Sequence, residues 1–283
     1  MTPGLMRAAV IGHPVAHSLS PVLHRAAYAA LGIDDVWRYE AVDVTEDQLP
    51  GFVAGLDGTW AGLSVTMPLK QAVRPLLHHV EPLADVVGAV NTVLIQGSGA
   101  GRVLTGANTD VHGLVAALGE GGIAGGLRSA VVLGAGATAA STLAALAQLG
   151  CTTPTVHVRS VARAAGLLRA AHRMGVSPVL RPLDEAPAAL RSAGAVVSTL
   201  PAHAADDLAG ALAGPVGGVL LDVVYDPRPT ALSQAWAAAG GTVVGGERML
   251  LHQAVEQVRL MTGHPAPVEA MGRALEAALV TTV

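Results

Sequence analysis

Along this chain short aliphatic runs alternate with Ala/Leu-rich stretches of helical period, and Gly and Pro punctuate the joins. Arg7 to Ile11 predicts a strand closed by Gly12-His13-Pro14, and Ser20-Pro21 reads as N-cap and first residue of a helix continuing over 22–31. Val36 to Val42 alternates as a second strand, and a helix is expected over Asp43 to Ala54, starting near Thr45. Trp60 to Val65 predicts a third strand, after which Pro68 interrupts the chain. Gly88 to Ile95 predicts a strand with Asn91 in its first half, and Gly99-Ala100-Gly101 a hairpin back into 102–105. His78-His79 reads as a helix end, and Gly106 to Gly113 opens a helix leading out of the first domain. Loops are expected over 119–122 and 124–126.

The most informative stretch is Val131 to Arg163. A run ending at Leu133 stops at Gly134-Ala135-Gly136, an Ala/Leu-rich helix follows until Gly150, and Thr155 to Val158 forms the next strand. The string is G-x-G-x-x-A. Gly134 and Gly136 allow a sharp turn and close approach of a pyrophosphate, and Ala139 lets helix and strand pack closely. The free N–H groups of the helix start, here Ala135 and Ala137 among them, then face the phosphates. About 20 residues on, where an NAD site carries an acidic residue, this chain carries Arg159, Ser160 and Arg163. Two guanidiniums and a hydroxyl suit a 2′-phosphate, which predicts NADP; the alternative is a solvated helix start.

With 283 residues, 51% of them hydrophobic, the chain fills two cores, and two domains are expected. Aromatic residues make up 2%, so those cores rest on aliphatic side chains and close Ala/Gly packing. A net charge of −4 gives no basic field for nucleic acid or an acidic membrane surface. The uncharged run from Ser129 to Val158 is broken by Gly134, Gly136, Gly150 and Pro154, which suits a buried α/β core rather than a membrane span. A single cysteine, Cys151, and no signal-peptide core at the N-terminus predict a cytoplasmic protein. The histidines lack ligand spacing, so no metal is expected.

Some polar residues carry two readings. Ser18 and Ser20 are a loop hydroxyl and a helix cap, the simpler reading on this segment alone, or a pair of donors for a small carboxylate. Thr66 and Lys70 stand past the carboxyl end of a strand, where open α/β sheets bind ligands. Lys70 is either a general acid or a solvated helix start. Asp110 is a helix-start carboxylate favoured by the dipole unless it serves chemistry.

Taken together, H-S-x-S-P at 17–21, S-V-T-x-P-x-K at 64–70, A-V-N-T at 89–92 and N-T-D-x-x-G at 108–113 resemble shikimate dehydrogenase. The resemblance continues through G-A-G-A at 134–137, D-V-V-Y-D-P at 222–227, M-L-L-H-Q at 249–253 and T-G-H-P-A-P at 262–267, covering nearly the whole chain. It implies reversible, NADP-dependent reduction of 3-dehydroshikimate to shikimate on the way to aromatic amino acids. Lys70 and Asp110 match the catalytic pair. Ser18 and Ser20 match the hydroxyls that take the substrate carboxylate, with Tyr225 near it. Thr66, Asn91, Asp110 and Gln253 match contacts to ring hydroxyls. Gly134, Ala135, Gly136, Ala137, Arg159, Ser160, Arg163, Thr199, Val223, Gly246 and Met249 match the cofactor side. Gln253 sits on a helix over Glu247 to Met261; otherwise it is an exposed polar strip with Gln257.

Ser64 replaces the Asn common in N-V-T, and Arg25 replaces the Asn after the helix histidine. Within the family the alternative substrates are quinate and aminoshikimate. The rival of another class is a catalytically silent nucleotide sensor, against which the presence of both Lys70 and Asp110 tells. The expected architecture is two α/β domains: a discontinuous substrate domain over 1–110 and 247–283, and a Rossmann-type NADP domain with a parallel sheet over 111–246. Cofactor and substrate are expected in the cleft between them, and a homodimer is the expected assembly.

Overall fold

The computed structural model describes residues 4–97 and 99–281. The chain divides into two compact units, one of residues 1–109 with 251–283 and one of residues 110–250.

In chain order the first unit contains β1 (Met6–Gly12), α1 (Ser20–Leu31), β2 (Trp37–Asp43), α2 (Leu49–Ala54), β3 (Trp60–Val65), α3 (Leu69–Ala72) and β4 (His79–Val80). It continues with α4 (Pro82–Val87), β5 (Thr92–Gln96) and β6 (Val103–Ala107). The strands form one sheet in the order β2-β1-β3-β5-β6-β4. β2, β1 and β3 run parallel, β5 runs antiparallel to both β3 and β6, and β4 follows β6. The carboxyl ends of β1, β3 and β6 therefore share one edge of the sheet with the amino end of β5. Ala8 to Ile11 and all six residues of β3 are buried, as continuous apolar runs in central strands require. At the edge, β2 alternates in burial.

The second unit contains α5 (Asp110–Glu120), β7 (Ala130–Leu133), α6 (Ala137–Gln148), β8 (Thr155–Val158), α7 (Ala165–Arg173), β9 (Val179–Pro182) and α8 (Ala186–Ser192). After these come β10 (Ala195–Ser198), α9 (Asp206–Ala211), β11 (Val219–Asp222), α10 (Ala231–Ala238) and β12 (Thr242–Gly245). The six strands are all parallel, in the order β12-β11-β10-β7-β8-β9. This is a doubly wound sheet whose strand order reverses between β7 and β10, the place where such sheets bind ligands. Trp236 is fully buried in its core and donates Nε1–H to the Gly218 carbonyl at 3.1 Å. α11 (Gly246–Thr262) begins in this unit and continues into the first, which α12 (Val268–Thr281) completes by packing on α1.

Most predicted strands and helices are present; the differences have local causes. Ser20 is the first helical residue rather than the cap: the cap position falls on Leu19 without a side-chain bond, and Ser18 Oγ accepts the Ser20 N–H at 3.3 Å. The helix expected from Thr45 begins at Leu49, because Pro50 fits only a first turn and residues 45–48 bond among themselves. Asn91 precedes β5 instead of lying within it, since 82–87 form α4 and Gly88 ends that helix in the left-handed region at φ 80°. His79 begins β4 beside β6, and His78 Nδ1 accepts the Leu104 N–H at 3.1 Å, so the pair is not a helix end. Gly119 and Glu120 prolong α5 rather than forming a loop.

Among the described residues no helix is long and apolar enough to cross a membrane.

Candidate active site

At the shared edge of the first sheet, three segments are tied through Asn91. Its backbone carbonyl accepts the Val65 N–H at 2.7 Å, and its own N–H donates to the Ala107 carbonyl at 3.2 Å, so Asn91 joins the ends of β3 and β6. One residue earlier, Val90 donates its N–H to the Lys70 carbonyl at 2.8 Å, which seats α3 against the same turn. The Asn91 side chain reaches the other way. Oδ1 accepts the Thr109 N–H at 2.7 Å, and Nδ2 donates to Thr109 Oγ1 at 2.9 Å. Asp110 follows Thr109 directly and is buried as the first residue of α5.

Around this knot stand the other predicted substrate residues. Thr66, half-buried, follows β3 and bonds Ile11 through its N–H at 2.9 Å, and Lys70 is half-buried on α3. Ser18 and Ser20 lie beyond β1 at the same edge, Ser20 buried and Ser18 partly exposed. Gln253 is buried on α11, with Oε1 3.4 Å from Asn91 Nδ2. The exposed polar strip considered for Gln253 and Gln257 is thereby excluded: they are 7% and 1% exposed. Tyr225 belongs to the second unit, beyond β11, where burial pushes its phenol pKa up.

Sequence reasoning missed a second layer beneath these residues. Tyr39 donates its hydroxyl to Ser64 Oγ at 2.6 Å, and Ser64 donates to Gln257 Oε1 at 2.7 Å. His24 stacks on Tyr39 with centroids 3.9 Å apart, and its Nε2 is 3.3 Å from Gln257 Oε1. Burial lowers the His24 pKa to about 3, so the ring is neutral, and it raises that of Tyr39. The available signal was the spacing of Gln253 and Gln257, four residues apart on one helix face.

In the second unit the glycine turn after β7 sits at the strand-order reversal. Gly134 has φ +106°, and a Cβ there would lie 2.6 Å from Thr199 Oγ1, so the turn admits only glycine. Thr199, just past β10, bridges the reversal: its N–H and Oγ1 both donate to the Leu133 carbonyl, at 2.9 and 2.8 Å. Gly136 is extended and a Cβ there would meet nothing within 4 Å, leaving open space over the start of α6. No side chain caps that helix, so Ala135 and Ala137 begin an uncapped N-terminus. Arg159 and Arg163 are exposed and Ser160 partly so, just beyond β8, the neighbour of β7. This turn, free helix start and paired guanidiniums fit a dinucleotide with a 2′-phosphate.

Two further segments at this edge carry predicted cofactor residues. Gly246 opens α11 with its backbone against Val223, whose carbonyl a Cβ would overlap at 2.2 Å, and Met249 is buried one turn on. Asp222 anchors the segment after β11, accepting from Thr230 Oγ1 at 2.7 Å and the Val224 N–H at 3.3 Å; burial raises its pKa. Among the described residues, no three His, Cys, Asp or Glu are grouped to hold a metal ion.

Comparison with known proteins places these features in context. A family model described as the shikimate dehydrogenase substrate binding domain matches residues 10–93, and one described as the shikimate 5′-dehydrogenase C-terminal domain matches residues 246–276. The NADP(+) shikimate dehydrogenase of Rubrobacter xylanophilus is 39% identical, over 94% of this chain and 94% of that one. Among solved structures, shikimate dehydrogenase of Mycobacterium tuberculosis is 42% identical with a TM-score of 0.85, covering 96% of this chain and 99% of that one. The shikimate 5-dehydrogenase of Thermus thermophilus, solved with NADP(H) and shikimate, is 35% identical with a TM-score of 0.79, over 97% and 100% of the two chains.

Proposed function

The chain belongs to the shikimate dehydrogenase family, and from that premise we propose how its own residues carry the reaction. The enzyme is an NADP-dependent oxidoreductase acting on a CH–OH group, interconverting 3-dehydroshikimate and shikimate.

The observation that carries the site assignment is the convergence at one sheet edge: Lys70 seated on Val90, Asn91 bonded to Thr109, and Asp110 next in the chain. It supports Lys70 and Asp110 as the catalytic pair. Bound NADPH supplies the hydride, and the protein supplies everything else. As the C3 carbonyl carbon is reduced, negative charge gathers on its oxygen. The Lys70 ammonium stabilises that charge and donates the proton that completes the hydroxyl. Asp110 is the carboxylate that orients this lysine.

Ser18 and Ser20 donate to the substrate carboxylate, which needs no arginine when two hydroxyls meet it. Thr66, Asn91 and Gln253 bind ring hydroxyls, and Tyr225 completes the carboxylate end. The Gly134–Ala137 turn takes the pyrophosphate on the start of α6, while Arg159, Ser160 and Arg163 take the 2′-phosphate. Thr199, Val223, Gly246 and Met249 shape the nicotinamide end.

A cytoplasmic location and a homodimeric state belong to the same proposal. The single buried Cys151 supports the first, and sedimentation velocity tests the second. The function is tested by following reduced nicotinamide with shikimate or quinate and each of NADP⁺ and NAD⁺. The highest kcat/KM is expected for shikimate with NADP⁺; a preference for quinate overturns the substrate assignment.

A further inference from the structure

Gln257 is not among the residues assigned to substrate or cofactor, yet every hydrogen-bonding position of its buried amide is occupied. Oε1 faces Ser64 Oγ at 2.7 Å and His24 Nε2 at 3.3 Å; Nε2 faces the Asn91 carbonyl at 3.2 Å and Thr92 Oγ1 at 3.0 Å. An amide offers two donor and two acceptor positions, so this one is saturated.

The directions of these bonds follow from chemistry. The Asn91 carbonyl can only accept, so the Gln257 atom facing it must be Nε2. Oε1 then faces Ser64 and His24, which must both donate. With its proton committed to Gln257, Ser64 accepts from Tyr39, whose hydroxyl lies beside Ser20. At the far end Thr92 Oγ1 accepts from Gln257 and so donates to Asn91 Oδ1 at 2.9 Å. That agrees with the Asn91 amide as the Thr109 N–H fixes it: Oδ1 toward Thr92 and the Thr109 N–H, Nδ2 toward Thr109 Oγ1 and Gln253. Donation runs one way, from Tyr39 through Ser64 and Gln257 to Asn91.

We propose that Gln257 is a positioning residue for the ring-hydroxyl end of the substrate site, holding Asn91 in place through its main-chain carbonyl and through Thr92, at the end of the chain Tyr39–Ser64–Gln257–Thr92. The proposal rests on the reading that Asn91 contacts substrate. Because the chain starts beside Ser20, it also links the two ends of the proposed substrate site, carboxylate and ring hydroxyl, through buried groups alone. Without Gln257, the Ser64 hydroxyl loses its acceptor, the Asn91 carbonyl and Thr92 Oγ1 each lose a donor inside the fold, and the main chain that carries the Asn91 side chain is held less firmly.

The test compares Gln257→Leu, Asn91→Ala and the double variant of the full-length enzyme in steady-state kinetics, with shikimate affinity measured by calorimetry. Gln257→Leu is expected to raise KM and Kd for shikimate about tenfold, with KM for NADP⁺ unchanged. In the Asn91→Ala background the same substitution is expected to add nothing, because its effect passes through Asn91. An unchanged shikimate KM, an equal rise for both substrates, or a full further rise in the Asn91→Ala background overturns the proposal. Should Gln257→Leu fail to fold, Ser64→Ala removes the donor into the same amide and is held to the same outcomes. Wild-type enzyme that neither binds nor oxidises shikimate defeats the functional reading and the proposal together; active wild type with indifferent variants defeats the proposal alone.

Discussion

The side-chain oxygen of Asn91 accepts the backbone N–H of Thr109 at 2.7 Å. A residue on the turn before β5 thus caps the end of β6 one position before Asp110, while its main chain closes β3 and β6. The main chain leading into the proposed catalytic Asp110 is therefore tied by an amide 19 residues upstream of it, through groups that are buried. Such a site tolerates little drift in the reacting groups.

Lys70 is assigned to the transition state rather than to ground-state binding. Lys70→Met should lower kcat for shikimate oxidation by about 10²- to 10⁴-fold while leaving shikimate KM within about threefold. A variant impaired only in KM would reduce Lys70 to a binding residue.

Arg159 and Arg163 should decide between cofactors. Replacing both with Ala is expected to raise KM for NADP⁺ by about 10- to 100-fold, since each charge-assisted hydrogen bond contributes ~1.5–3 kcal/mol when fully formed and less when exposed. KM for NAD⁺ should hardly move. Equal losses with both cofactors would place the arginines on the pyrophosphate instead.

The two glycines of the turn should fail differently. Gly134→Ala forces a Cβ into the left-handed region and against Thr199 Oγ1, at a cost of about 2–3 kcal/mol, so Tm should fall by about 5–10 °C. Gly136→Ala meets open space and an extended backbone, so Tm should hold while NADP⁺ affinity drops, the methyl lying where a pyrophosphate approaches. Thermal melts with and without NADP⁺ separate the two; a Gly136→Ala protein that binds NADP⁺ normally would move the phosphates elsewhere.

His24 makes stability depend on pH. Burial lowers its pKa from 6.5 to about 3 in the folded protein. Below about pH 6.5 the unfolded chain binds this proton and the folded chain does not, so stability falls as pH falls, by at most ~1.4 kcal/mol per pH unit from this ring, until the folded pKa is reached. His24→Leu should flatten that part of the curve. Urea unfolding at pH 7 and pH 5 checks it: parallel losses in wild type and variant would mean the ring is protonated inside the fold.

Much of this architecture was legible locally. β3, β7 and β8 begin and end where their apolar runs and glycines do, because strand ends depend on residues a few positions away. The G-x-G-x-x-A turn and the basic residues after β8 were legible for the same reason, since a βα unit carries its phosphate-binding atoms within one short segment. The start of α2 is marked by Pro50 within its own segment and is legible in the same way.

Other features depended on partners far along the chain. Gln253 and Gln257 share a helix face, and period alone makes that face polar and exposed or polar and buried with equal right. What decides is the arrival of Ser64, 193 residues before Gln257, and of Asn91, 162 before Gln253, each supplying the bonds without which burying an amide is costly. Sequence determined which segments become strands, helices and a nucleotide turn, because short-range sterics and periodicity govern them. Only the tertiary structure decided which polar side chains go inside and which way their amides point, because that depends on hydrogen-bond partners brought together by the sheet.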